Sequence, residues 1–173
     1  LHAAAVALVL SALPHAGQLP LWVLMLVPGA IALRLALGRQ PGRWLLIGLV
    51  IVVFAAVLFR FRTIAGPTAG GAFFCAMVAL KFLESRNRRD LGILLCLAYF
   101  LAISVFLNSE AIGIAVLVLA AVLATTVALT FVAEPDGPPV WARLRLSGTL
   151  LLQAIPVMLV LFLLFPRLPG PIW

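Results

Sequence analysis

The sequence predicts an all-α fold, a polytopic transmembrane bundle of about seven antiparallel segments joined by short loops. Three observations carry that prediction. First, 65% of the 173 residues are hydrophobic and 10% charged, where soluble domains average about 45–50% and about 25%. Second, apolar stretches recur from end to end, most of them close to the ~20 residues that cross ~30 Å of hydrocarbon at ~1.5 Å per residue. Third, the basic residues sit between those stretches and fall unevenly on alternate loops. A soluble domain on a single anchor would concentrate its apolar residues in one place. A closed barrel would need alternating strands, which the run Leu45 to Phe59 does not show.

The segments are 1–13, 19–37, 44–61, 67–84, 90–107, 110–132 and 147–165. The first opens inside an apolar run with no basic n-region and no small-residue cleavage pattern, so it is read as a clipped helix and not as a signal peptide. Pro14-His15-Ala16-Gly17 separates it from the second, and Gly38-Arg39-Gln40-Pro41-Gly42-Arg43 separates the second from the third. Gly66-Pro67 opens the fourth, while Asp90 and Asn108-Ser109 stand where the N-caps of the fifth and sixth are expected. Glu134 to Pro139 is the longest polar loop. Pro28-Gly29 and Pro156, inside apolar runs, are expected to kink their helices. Loops this short place consecutive helices antiparallel, so residues 1–165 read as one up-and-down bundle.

The net charge of +7 is spread singly or in small groups, which argues for topology signals and lipid-headgroup contacts and against a nucleic-acid partner. If each segment crosses once, Arg34, Arg39, Arg43, Lys81, Arg86, Arg88, Arg89, Arg143 and Arg145 share one side, against Arg60, Arg62 and Arg167 on the other. The positive-inside rule then puts the N-terminus in the cytoplasm and Trp173 outside, in a bacterial cytoplasmic membrane. Arg60 and Arg62 face outward or snorkel from a helix end. Trp22, Trp44, Trp141 and Trp173 all lie near segment ends, where an aromatic belt sits. Tyr99 is mid-span, so its hydroxyl needs a partner on a neighbouring helix, and Ser104, Thr125, Thr126 and Gln153 are candidate interhelical hydrogen-bonding groups.

Catalytic chemistry finds little to stand on. The central third of every span is free of Asp, Glu, Lys, Arg and His, which weighs against a proton relay or an ion-coupled transporter. His2 and His15 are too isolated for a metal site, with His2 on a helix and His15 in a loop. Cys75 and Cys96 lie in apolar runs and read as packing residues. No catalytic residue, cofactor or metal is expected from this chain.

The densest polar cluster is Lys81-Phe82-Leu83-Glu84-Ser85-Arg86-Asn87-Arg88-Arg89-Asp90. If the fourth helix runs through it, Glu84 meets Arg88 four residues on, and Lys81 meets Glu84 three residues on. It reads either as a charged cap that enforces topology or, through Lys81, Glu84, Arg86, Arg88, Arg89 and Asp90 together, as a docking or headgroup site. Gly66, Gly70, Gly71, Cys75 and Ala79 form a small-residue face suited to close helix packing. At the C-terminal end, Pro166, Pro169 and Pro171 favour a stiff extended exit, and Phe165, Arg167 and Trp173 suit the headgroup layer.

The cluster from Leu80 to Asp90 and the terminal Leu164-Phe165-Pro166-Arg167-Leu168-Pro169-Gly170-Pro171-Ile172-Trp173 resemble two signature stretches of one family: the N-terminal membrane domain of bacterial transglutaminase-like proteins of the transglutaminase protein A (TgpA) type. The resemblance runs over nearly the whole chain in the order of its hydrophobic segments. It implies that the exit at 166–173 leads to a large extracytoplasmic domain, followed later by a further membrane helix. The Cys-His-Asp set of that superfamily, in which a thiolate attacks a glutamine side-chain amide, would then lie beyond Trp173. Relatives often carry an acidic residue in the stretch from Gly66 to Gly70, where this chain has Thr68.

The resemblance implies a membrane-anchoring and positioning domain for an extracytoplasmic cysteine acyltransferase or hydrolase acting on cell-envelope proteins or peptidoglycan. Its partners would be the lipid bilayer, its own C-terminal extracytoplasmic domain and other cell-envelope membrane proteins. Two other readings stay open. One is a small-molecule or lipid transporter with a polar-lined cavity near Pro28 or Pro156. The other is a structural bundle that recruits a partner through the small-residue face of the fourth helix.

Overall fold

A computed structural model describes residues 1–38, 41–62, 66–109 and 111–164. Among them the chain is all-helical: α1 (His2–Ala12), α2 (Leu21–Leu37), α3 (Arg43–Phe61), α4 (Pro67–Glu84), α5 (Arg88–Ser104), α6 (Ile112–Ala133) and α7 (Val140–Leu164). Short 3-10 turns extend α1 through Leu13–His15 and α5 through Val105–Leu107. Four helices are long and apolar enough to cross a membrane: α3, α5 with its 3-10 extension, α6 and α7. α1 and α2 are shorter apolar helices. The chain is by these measures a membrane protein, and each expected segment overlaps an observed helix.

The boundaries follow from local chemistry. Gly38 closes α2 with φ of 59°, a left-handed conformation that glycine adopts without steric cost. Gly66, at φ 125°, is the N-cap of α4, followed by Pro67 at the first helical position. α3 ends at Arg62 in the same left-handed region (φ 54°) without a glycine's freedom. α7 starts earlier than the expected residue 147, because Pro139 accepts the first helical bond from Arg143 N–H at 3.2 Å, so Arg143 and Arg145 lie within the helix. Pro28 and Pro156 both lie inside their helices.

Two compact units can be described: Leu1–Gly137, containing α1 to α6, and Pro138–Trp173, containing α7. Within the first, α4 is the hub and packs against α2, α3 and α5. α1 packs chiefly against α6 and also against α5, and α5 packs against α6. The hub carries small residues: Ala72, Cys75, Ala76 and Ala79 are fully enclosed, with Phe82 and Leu83 at one end. That composition suits a helix surrounded by helices. Lipid is as apolar as leucine, so association depends on close backbone approach and not on hydrophobicity alone. Peripheral helices show the opposite pattern, and α6 exposes Ile112, Val116 and Leu119.

The close-packed face differs from the expected one. Gly66 stands outside α4 as its cap, a side chain at Gly70 would meet nothing within 4 Å, and one at Gly71 would only touch Leu19 at 4.0 Å. The working face is shifted to Ala72, Cys75, Ala76 and Ala79.

Candidate functional site

The first unit has two polar ends, and antiparallel packing assembles each from residues far apart in sequence. At one end lie the C-terminus of α2, the start of α3, the end of α4 and the start of α5, tied by a hydrogen bond from Arg34 Nη2 to the Ser85 carbonyl at 3.2 Å. At the other end lie the turn after α1, the start of α4 and the end of α5, tied by His15 to Ser104 and by Thr68 to Asn108.

The charged end contains the cluster that the sequence singles out, and its helix does not run through. α4 stops at Glu84, and Ser85 leaves the helical region with ψ of 125°. The Ser85 hydroxyl donates back to the Phe82 carbonyl at 2.8 Å. α5 then starts from a capping box: Asn87 is the N-cap, its side chain accepts from the backbone N–H of Asp90, and Asp90 reaches back. Asp90 Oδ2 accepts from Arg86 N–H at 2.9 Å and from Asn87 N–H at 3.3 Å. Asp90 is therefore the third residue of the helix and not its cap, which corrects the expected N-cap. The break also removes the helical spacing that a Glu84 to Arg88 pair requires. Glu84 pairs instead with Lys81, Nζ to Oε2 at 3.1 Å, as the three-residue spacing suggests. Arg86, Arg88 and Arg89 are exposed, and Arg88 borders a cavity shared with Ala4 of α1 and Ala128 of α6.

The other end contains a buried polar node without charge. His15, expected in a loop, lies in the 3-10 turn after α1 and is 1% exposed. Its Nε2 is 3.1 Å from the Ser104 hydroxyl, which itself donates to the Leu101 carbonyl at 2.8 Å. With that hydroxyl proton committed, Ser104 accepts from Nε2–H, and Nδ1 is left as a buried atom without a hydrogen-bond partner. The Ser11 hydroxyl and both polar atoms of the Gln18 side chain are likewise buried and unpartnered. Burial holds the imidazole below its ordinary protonation range, and the nearby Ser11 backbone opposes this only in part. Sequence reasoning named Ser104 as an interhelical hydrogen-bonding group, as it is, but missed its partner His15. The signal for the pair was that His15 and Ser104 both close segments on the same side of the predicted bundle.

Other expected groups resolve individually. Tyr99 finds its partner on a neighbouring helix, the Thr126 hydroxyl at 2.7 Å. Thr125 donates to Ala121 within its own helix at 2.7 Å, and Gln153 is exposed on α7. Cys75 is buried and Cys96 exposed. Among the described residues no group of three His, Cys, Asp or Glu side chains could hold a metal ion. The expected membrane exit, Phe165, Pro166, Arg167, Pro169, Pro171 and Trp173, lies outside the described residues. A cavity of about 170 Å³ does open beside Pro28, but Val9, Ala12, Leu13, Leu24 and Val27 wall it, so it lacks the polar lining that a transport site needs.

An all-helical membrane domain, with a charged hairpin at one end and no catalytic constellation among its described residues, is the class that fold and sites define. Within that class, the TgpA N-terminal domain family matches residues 3–173, and the chain belongs to it. A protein-glutamine gamma-glutamyltransferase of Pseudomonas aeruginosa is 37% identical over 175 residues, covering 97% of this chain and 26% of that relative. The chain thus spans about a quarter of the length of the curated relative it matches. No solved structure matches it.

Proposed function

We propose that this chain is the membrane-anchoring and positioning domain of an extracytoplasmic transglutaminase-like cysteine enzyme that acts on cell-envelope proteins or peptidoglycan. The observation that carries the reading is the proportion of the match: nearly all of this chain aligns with about a quarter of a protein-glutamine gamma-glutamyltransferase. The chemistry would belong to the remainder of such a protein. The bundle would hold that remainder at the membrane, with residues 166–173 as the Pro-rich exit toward it.

Charge supports a direction. Arg34, Arg43, Lys81, Arg86, Arg88 and Arg89 belong to one end of the α1–α6 bundle, and Arg60 and Arg62 close α3 toward the other. The positive-inside rule assigns the first end to the cytoplasm of the bacterial inner membrane. A seventh crossing by α7 then carries the chain out to the periplasmic side.

Reporter fusions after Trp173 test the direction. Alkaline phosphatase there is expected to be active and green fluorescent protein dark; the reverse pattern overturns the assignment. The enzymatic half is tested separately on the intact protein in membranes, by glutamine-dependent incorporation of a labelled amine into envelope proteins. Loss of incorporation when the enzyme's downstream cysteine is replaced is expected, and unchanged incorporation would refute it.

A further inference from the structure

We infer that the groove between α3 and α4 at the charged end is a binding site for an anionic phospholipid, with an acyl chain along its apolar floor and the headgroup phosphate at its cationic rim. The groove is built by two facing stripes. On α3, Arg43, Leu46, Ile47 and Val50 recur at three- and four-residue spacing and line a cavity of about 330 Å³ with Glu84 at its edge. On α4, Met77, Leu80, Lys81 and Glu84 repeat the same spacing and line a smaller adjoining cavity of about 80 Å³, which shares Leu46, Val50 and Glu84 with the first. Both stripes run from charge to apolar surface. That gradient matches a phospholipid crossing from headgroup to hydrocarbon.

The groove's shape follows from the fold. α3 packs principally against α4, so its flank stays open, and Ile47 and Ile51 are 39% and 61% exposed. The rim carries more positive than negative charge. Arg43 is exposed on α3, Lys81 and Glu84 neutralise one another at 3.1 Å, and Arg34 on α2 reaches the Ser85 carbonyl just beyond the end of α4. Arg43 lines the wider cavity, is exposed and has no carboxylate of its own among the described residues, so the rim keeps a net positive charge that attracts a phosphate, whose oxygens suit guanidinium geometry. An apolar helix seated in the groove would fill the floor but leave Arg43 without a counter-charge. A free phosphate would leave the floor open to hydrocarbon.

The test is native mass spectrometry of the intact protein released from nanodiscs that contain phosphatidylglycerol and phosphatidylcholine with identical acyl chains. Preferential retention of one phosphatidylglycerol is expected. The double variant Arg43→Gln/Lys81→Gln should reduce that preference about tenfold, given the strength of each basic contact to an anionic surface. Val50→Trp, which fills the floor without changing charge, should lower retention of both lipids. The double variant Arg86→Gln/Arg89→Gln keeps the same charge loss away from the groove and should leave retention unchanged.

Equal retention of the two lipids, or an equal effect of the two double variants, would overturn the inference in favour of diffuse surface attraction. A photo-crosslinker at Ile47 that captures protein and not lipid would overturn it in favour of a helical occupant. Inorganic phosphate that abolishes phosphatidylglycerol retention without displacement by Val50→Trp would assign the rim to a soluble anion instead.

Discussion

At the Ser85 end of the α1–α6 bundle, most polar groups are satisfied by neighbours three or four residues away: Lys81 by Glu84, Ser85 by Phe82, and the backbone of Arg86 and Asn87 by Asp90. At the His15 end, the main bond spans 89 residues to Ser104, and Ser11 and Gln18 bury polar atoms with no partner. One end is satisfied mostly by local bonds, with Arg34 to the Ser85 carbonyl as its long-range tie, and it exposes Arg86, Arg88 and Arg89. The other depends on tertiary packing and holds its polar groups inside. Removing a residue from the first should cost one interaction, whereas removing one from the second disturbs the docking of α1 against α5.

Four predictions press on that contrast, from the largest effect to the smallest. His15→Ala should destabilise the protein most, by about 2–3 kcal/mol in a detergent unfolding titration, because it removes both packed volume and the bond to Ser104. A change within ~0.5 kcal/mol would mean that the His15 end is as local as the other. Asn87→Ala should cost about 1 kcal/mol by the same measurement, the usual worth of an N-cap.

The third prediction concerns pH. Since burial places the folded His15 value below the ordinary 6.5, its stabilisation is complete above that ordinary value. It is lost as pH falls below it toward and through the lower folded value. The melting temperature should therefore decline on acidification from about pH 7.5 to about 5.5, and His15→Gln should flatten the decline while His2→Gln should not. The smallest effect belongs to Lys81→Ala. An exposed ion pair contributes between about 0 and 1 kcal/mol, so stability should shift little, and less still at high salt.

The sequence announced the helices because the bilayer imposes a length: an apolar run such as Val50 to Phe59 has few other fates. It was less explicit at their edges. Arg143 and Arg145 read as loop charges, yet Pro138-Pro139 starts a helix that includes them. At the charged hairpin, two local patterns competed. The Glu84 to Arg88 spacing assumed an unbroken helix, while Asn87-x-x-Asp90 encoded a capping box that breaks it, and the cap prevailed by satisfying backbone donors. The small-residue face of α4 was legible in composition but displaced in register, since Gly66 was needed for a positive φ outside the helix. His15 and Ser104 were not legible as a pair, because nothing local relates residues whose proximity is created by three intervening helices.

The hub position of α4 has a bearing on biogenesis. α2 packs chiefly against α4, and α1 chiefly against α6, the last helix of its unit to be synthesised. The α1–α2 hairpin therefore leaves the ribosome before its final neighbours. His15 must wait in an unfinished intermediate until Ser104 has been translated, and α1 must wait longer for the packing surface of α6. Insertion factors that shelter polar groups from lipid would therefore have a long encounter with α1 and α2.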